Sequence, residues 1–497
     1  MKPSAIASKA LRFALGAQSR LVTAATAVKS LPKAEFSAPT YPTGCEYILG
    51  FAKAEILPPD IGKKKYYIAG YQENKPAKGV LDPPQTHAVW LDDRSGLGGI
   101  LLISIDCVGI LKSDVERIRQ ALRPFAMLTG CRSINVVSTH SHAGIDTMGI
   151  WGPLPRSGKD PKYMELVLSR TVAAAKEAYA ARKRGRLRLG KVRVPDMQED
   201  IRTPTVYSDT LTRLRFTPND GSRETYIINF AAHSESLQGC NELVSADFPC
   251  YLRRLIERET GAQTLYCVGA VGGMISMKIE NEREIREQGG DFSASTAAIG
   301  GKLAGYALSI KPEDEELLPA RIGCLRQEVY FKAENTVLLL AAKAGLLAAK
   351  PYKLPKGGGF ALKSEISYLE IGGLPLLLLP CEIFPELVYG GYLGADDSSS
   401  GCPEALNPTP LLQILGRDAV IIGLANDEVG YVIPPNDFML DGEAPYLDIP
   451  RDRHGRRHYE ETNSLGPITA VTIAKTVEVI AETVEKSARI LYNLISI

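Results

Sequence analysis

Six short apolar runs, each closing on a polar or glycine-containing segment, constrain this chain more than any other feature. They are GGILLISID (98–106), SINVVSTHSH (133–142), ETYIINFAAH (224–233), QTLYCVGAV (263–271), LPLLLLPCE (374–382) and AVIIGLAND (419–427). Runs this short and this rich in Val, Ile and Leu read as strands buried on both faces, as in a sheet covered by other layers. Interleaved with them, DVERIRQALRPFAM (114–127), YMELVLSRTVAAAKEAYAARKRG (163–185) and FPCYLRRLIERETG (248–261) carry apolar residues at helical spacing. The last stops at Gly261, a residue that helix C-termini favour. From Ile468 to Ile497 the same spacing returns at Val471, Ile473, Ile480, Val484, Ile490 and Leu494, which predicts one long helix packed on the core. The expected fold from Tyr47 onward is therefore α/β, a mixed β-sheet core with flanking helices and no internal repeat. Proline and glycine loops at 351–360 and 433–450 punctuate the second half without forming a linker.

Composition removes several function classes. Basic and acidic residues nearly cancel, 58 against 57, so no global field exists to hold nucleic acid or an anionic membrane. No run approaches the roughly 18 apolar residues of a membrane-spanning helix, and no transmembrane segment is expected. The nine cysteines are dispersed, with no CxxC pair, and several sit inside apolar runs as small buried hydrophobes. That usage favours a reducing cytoplasm. Residues 1–44 are read as a basic extension, because Lys2, Lys9, Arg12, Arg20, Lys29 and Lys33 precede the first acid, Glu35. A basic docking helix is the first reading and a targeting segment for export or an organelle the alternative.

The candidate chemistry lies where apolar runs end. Thr-His-Ser-His at 139–142 closes one run and holds two of the six histidines. Residues i and i+2 of a strand project from one face, so His140 and His142 can look into one cavity. His233 ends a second run and Glu382 a third, which repeats the imidazole and carboxylate types that zinc prefers. Ligand sites of α/β sheets form where strand ends meet loops, so a metal site at strand ends is the expectation.

The segments EYILGFAKAEILPP (46–59), STHSHAG (138–144), DIRTP (200–204), NFAAHSESLQG (229–239), LVSADFPCYLRRLIE (243–257), LPCE (379–382), NDEVGYVIPP (426–435) and YEETNSLGP (459–467) follow one another in an order that resembles the amidase domain of neutral ceramidases. The resemblance implies that His140, His233, Glu382 and Tyr431 are zinc ligands. It implies also that His142, Arg202 and Tyr459 polarise the scissile carbonyl and stabilise the charge that develops on it. The domain expected is a ceramidase-like zinc hydrolase over 45–497, with no immunoglobulin-like domain after it.

The implied function is a zinc-dependent hydrolase that splits a linear carboxamide by metal-activated water in a small-molecule or lipid-like substrate. Zn2+ is the implied cofactor. An esterase or lactonase on the same centre, and a non-catalytic protein stabilised by zinc, are the alternatives. Two departures bear on these. The GDVSPN loop of ceramidases is replaced in TLYCVGAVGGMIS by Ala270 and Gly272, with Ser276 as a candidate substitute. The stretch RDRHGRRHYEE (451–461) places Arg456 and Arg457 just before Tyr459, which raises the expectation of an anionic group on the substrate.

Overall fold

The computed structural model describes residues 26–153 and 155–495. Eight main strands build the larger sheet: β1 (Tyr47–Glu55), β2 (Gln85–Asp92), β3 (Ile100–Ile105), β4 (Ser133–Ser138), β5 (Lys183–Arg193), β6 (Thr210–Pro218), β7 (Thr225–Phe230) and β8 (Gln263–Val268). Their spatial order is β8-β7-β6-β5-β1-β2-β3-β4, and a ninth short strand, Glu316–Leu317, pairs with β5. Only β3 with β4 and β7 with β8 run parallel, which makes the sheet mixed. A smaller sheet holds β9 (Ile322–Ala333), β10 (Phe360–Ile371), β11 (Leu374–Leu378) and β12 (Val420–Ile422).

The two sheets pack face to face. Leu49, Val89, Leu102 and Ile227 of the first meet Leu369, Leu376 and Ile422 of the second in one buried cluster. Residues at the alternate positions point the other way and are covered by helices. Trp90, Leu101 and Ile103 lie under α1 (Lys112–Thr129) and α2 (Pro161–Ala180). Tyr226 and Ile228 lie under α3 (Phe248–Thr260) and α4 (Ser293–Ser309). On the smaller sheet, Ile366, Tyr368 and Leu377 are covered by Ile473, Val477 and Ile480 of α5 (Ile468–Ile495). This helix–sheet–sheet–helix layering explains why the strands read as continuous apolar runs: both faces are buried, and each fully buried Leu or Ile contributes roughly 1.5–3 kcal/mol.

Local signals set several helix ends. Asp160 accepts from the Tyr163 amide ahead of Pro161, and Gly261 ends α3 in the left-handed conformation at φ 73°. The helix expected over 163–185 is shorter. It ends at Ala180, and Lys183 opens β5, where buried Leu187 and Leu189 alternate with exposed Arg186 and half-buried Arg188. Pairing of β5 with both β1 and β6 outweighs the helical propensity of the Arg- and Lys-rich junction.

Residues 26–44 run along the smaller sheet, with Thr26–Ala27 paired to Pro351–Lys353 and Ser37 bridged to Cys324. Residues 1–25, on which the docking-helix and targeting expectations chiefly rest, lie outside the described residues, as do the side chains of Ile490 and Leu494. Among the described residues no helix is long and apolar enough to cross a membrane.

Candidate metal centre

The strands stop earlier than their apolar runs, and the residues left over become the loops of the site. β4 ends at Ser138, β7 at Phe230 and β11 at Leu378. The loops are tied together through the backbone. Ser141 N donates to Cys107 O at 3.1 Å, His142 N to Ser234 O at 2.9 Å and His233 N to Ile275 O at 2.8 Å. Glu382 and Tyr431 are partners in a two-residue parallel pairing. Gly430, at φ 90°, precedes Tyr431, and a Cβ there would collide with the Asn463 carbonyl. His140 itself sits at φ 62°, a conformation uncommon outside glycine that costs of order 1–3 kcal/mol and recurs at functional sites.

Four side chains converge. His140 Nδ1 lies 2.7 Å from Val108 O, and His233 Nδ1 lies 2.9 Å from Ile275 O. With Nδ1 donating to a carbonyl, the neutral ring keeps its lone pair on Nε2. Both Nε2 atoms then point at the same carboxylate oxygen, Glu382 Oε2, at 3.2 Å from His140 and 3.0 Å from His233. His142 Nε2 is 3.2 Å from His140 Nε2. A nitrogen from each of the three imidazoles falls within 4.8 Å of the others, and all three rings are buried.

This concentration of lone pairs has an electrostatic consequence. Burial opposes charge on His233, but its bond to Glu382 and the nearby Glu235 outweigh that and raise its pKa to about 9. Burial and the neighbouring His140 lower His142 to about 3. Although burial works against its charge, Glu382 is held far below the ordinary carboxylate range by His140 and His233. Without a cation a proton must bridge Glu382 and His233; a cation of the right size would serve all four groups at once. The donor set, imidazoles around a carboxylate, is the set that zinc accepts, and the buried Nδ1 of His142 makes no hydrogen bond among the described residues.

The centre floors a cavity of about 470 Å³ lined by His140, His142, Glu382, Tyr431 and Tyr459. Apolar walls come from Met148, Ile150, Trp151, Leu338, Leu347 and Leu362.

The likeness to known structures extends over most of this chain. The chain resembles the crystal structure of neutral ceramidase from Pseudomonas aeruginosa, with a TM-score of 0.65 and 17% sequence identity over 88% of this chain and 75% of that one. The fold is that of neutral ceramidase. A ceramidase complexed with C2 is similar to the same degree, with a TM-score of 0.65 and 15% identity over 89% of this chain and 76% of that one. No protein-family model and no curated protein matches the chain.

Within the neutral ceramidase fold the residues singled out from sequence separate into two groups. His140, His142, His233, Glu382, Tyr431 and Tyr459 meet at one place. The Tyr431 hydroxyl lies 3.4 Å from Met274 Sδ, and its ring packs on that of Tyr459 with centroids 6.4 Å apart. Burial raises both phenols, Tyr459 to about 12, and Glu382 adds to each shift. Arg202 stands apart: it does not line the cavity, and its guanidinium is held by Asp437 and Glu460, each at 2.9 Å.

The arginine-rich stretch does not rim the cavity either. Arg453 donates to the carbonyls of Ala395, Asp396 and Ser398, and Arg456 to Asp452, Thr203 and Asp397. The expectation that Arg456 and Arg457 rim the site is therefore corrected: neither lines the cavity, and the loop is tied instead to the 395–398 segment and Thr203. The replaced ceramidase loop has a physical account as well. Gly272 N donates to Ile383 O at 2.9 Å, and a Cβ at 272 would overlap the backbone of Glu382–Phe384. Ser276 is turned away from the cavity and donates to Glu235.

Sequence reasoning missed Glu235, Tyr71 and Glu428. Glu235 lies 3.6 Å from His142 Nδ1 and accepts from Tyr71 at 2.9 Å. Its position two residues after His233, just past a strand end, was the available signal. Glu428 lines the cavity, with burial and then Glu382 raising its pKa well above the ordinary value.

Proposed function

We propose that this chain is a zinc-dependent hydrolase that cleaves a linear carboxamide, an N-acyl amide of the ceramidase kind, with water as the nucleophile. The observation that carries the reading is the convergence of His140 and His233 Nε2 on one Glu382 oxygen, at 3.2 and 3.0 Å, beneath an apolar cavity. His140, His233, Glu382 and Tyr431 would hold the ion. Bound there, zinc lowers the pKa of water toward ~7 and withdraws electrons from a carbonyl.

The chain's own groups supply the rest. Tyr459, with its pKa raised to about 12, keeps its proton at neutral pH and is a donor for the oxygen on which charge develops. His142, neutral at pH 7, is the second group on that side, and Glu235 orients it through Nδ1 so that Nε2 faces the cluster with its lone pair. Arg202, through Glu460, positions the segment that carries Tyr459. The acyl arm lies along Met148, Trp151 and Leu338. Nine unpaired cysteines fit a reducing compartment.

Elemental analysis of wild-type and His233→Ala protein, run beside a screen of N-acyl amides on the same samples, tests the reading. It requires about one zinc per chain in wild type, lost together with amidase activity in the variant. Wild type that binds no stoichiometric zinc after reconstitution overturns it. The lack of a side chain at Gly272 favours a second reading, ester or lactone hydrolysis at the same centre. An amide and an ester of one acyl chain separate the two by their kcat/KM.

A further inference from the structure

The cavity floor holds one carboxyl that the metal centre leaves unused. Every lysine and arginine of the lining is exposed or half-buried, whereas Glu382, Asp427 and Glu428 are buried. Two of these acids are fully engaged. Glu382 is held by His140 and His233. Asp427 accepts from the Lys112 and Glu428 amides at 2.7 and 2.9 Å through one oxygen, and from the Ser364 hydroxyl at 2.7 Å through the other. Glu428 differs. One of its oxygens accepts from the Gly430 amide at 2.8 Å, and the other, Oε2, is buried with no hydrogen-bond partner among the described residues.

Glu428 stands beside the histidine cluster rather than at the mouth. Its Cβ and Cγ lie 3.2 and 3.0 Å from where a Cβ on Gly109 would stand, and the preceding residue, Val108, carries the carbonyl that holds His140 Nδ1. Gly430, which donates to Glu428, precedes Tyr431 and accepts from the Glu382 amide at 3.2 Å. A group a few bonds from an amide at the cluster is therefore within reach of this carboxyl. A buried carboxyl without a cation is costly as an anion and keeps a proton instead. Burial and then Glu382 push the Glu428 pKa well above the ordinary value. Glu382 and Glu235 offset a divalent ion at the histidines, so Glu428 is left for one further positive charge. No buried lysine or arginine of the lining supplies it.

Resting on the amide-hydrolase reading, we propose that Glu428 is the specificity residue for a cationic amine portion and that the substrate is an N-acyl diamine. The acyl chain lies against Trp151, Leu338 and Leu347, and the amide reaches the histidine cluster. The free ammonium, a few carbons beyond the amide nitrogen, pairs with Glu428 Oε2. In atoms, water adds its oxygen to the acyl carbon and the carbon–nitrogen bond breaks. One proton goes to the departing nitrogen, leaving a fatty acid and a diamine.

Matched substrates test this on the zinc-loaded wild-type protein: the mono-octanoyl amides of 1,2-diaminoethane, 1,3-diaminopropane and 1,4-diaminobutane. Each is set against the alkylamide that carries a methyl group in place of the ammonium. At least one diamine conjugate is expected to exceed its twin by about tenfold or more in kcat/KM. In Glu428→Gln protein, which keeps an oxygen for the Gly430 amide, that preference falls to within about twofold. Should that variant fail to fold, Gly109→Ala, whose Cβ would press on Glu428, takes its place and lowers the same ratio by about threefold or more. The twins share their acyl chain, so a general disturbance of the site leaves their ratio unmoved. Equal kcat/KM within every pair in wild type, or a preference unchanged in the folded variant, overturns the inference. If no amide of either set is hydrolysed, the amidase reading itself fails, yet the choice of ligand is still decided. Calorimetric titration then gives the Kd of each intact amide. Equal values within every pair overturn the inference, and tighter binding of a diamine conjugate, lost in the variant, supports it.

Discussion

His142 and Glu235 face each other behind the cavity floor, ring Nδ1 to carboxylate Oε2 at 3.6 Å, both buried. The carboxylate is shared, because the Tyr71 hydroxyl donates to it at 2.9 Å and the Ser276 hydroxyl reaches its other oxygen. Removing it would take an acceptor from the Tyr71 and Ser276 hydroxyls and the charged neighbour from the buried His142 ring. Glu235→Ala is expected to destabilise the fold by about 1–3 kcal/mol and to lower amide hydrolysis by roughly tenfold or more as the ring loses its orientation. Urea unfolding and turnover on one preparation measure both; a variant with wild-type values in each would show that the contact is idle.

Tyr431 and His142 both border the cluster, and they are assigned different tasks. Tyr431→Phe is expected to weaken zinc binding by about tenfold or more, in the range found for altered metal surroundings. His142→Ala is expected to keep near-stoichiometric zinc and lose kcat. Zinc competition titrations on the two variants decide it, and the opposite pattern would exchange the roles.

Zinc binding must displace the proton that joins His233 to Glu382. With the His233 pKa raised to about 9, the ring is charged at neutral pH in the metal-free protein. Zinc affinity should therefore climb about tenfold per pH unit from neutrality and level off above about 9. A chelator should lower Tm, and zinc at about 100 times its Kd should return roughly 2.7 kcal/mol. An affinity independent of pH between 7 and 9 would mean that His233 is not a ligand.

Glu365 carries an acid-sensitive contribution outside the histidine cluster. Its carboxylate is buried, which favours the neutral form, but Arg119 and Lys112 overcome this and depress its pKa from 4.5 to about 2. Because the folded value is the lower one, the stabilisation is present above about pH 4.5 and is lost as pH falls toward about 2. Its full size is about 3 kcal/mol. Glu365→Gln should be less stable than wild type at pH 7, with the gap closing near pH 2.5. Unfolding in urea at both pH values checks the sign.

Much of the fold was legible because its strands are buried on both faces. Continuous Val, Ile and Leu need no partner to announce themselves, and all six apolar runs became strands. Strands with alternating or charged sequences were not legible. Lys183–Arg193 reads locally as helix or loop, and only its neighbours β1 and β6 make it a strand. Likewise Glu235 looked like an ordinary loop acid until the turn after β7 set it against His142.

The sequence by itself determined the types and sites of the donors: two histidines in THSH, one closing NFAAH and a glutamate after LLLLPC, each just past an apolar run. Those residues must leave the sheet, since a strand buried on both faces has no room for a cavity-facing polar group. Tertiary structure alone decided which of them share an ion-sized space. It brought Glu382 beside His233 through loops 149 residues apart in the chain, turned Arg202 into an ion pair with Asp437 and Glu460, and tied the arginine-rich loop to the carbonyls of the 395–398 segment. Distance, dielectric and charge balance are properties of the packed layers, and no spacing along the chain encodes them.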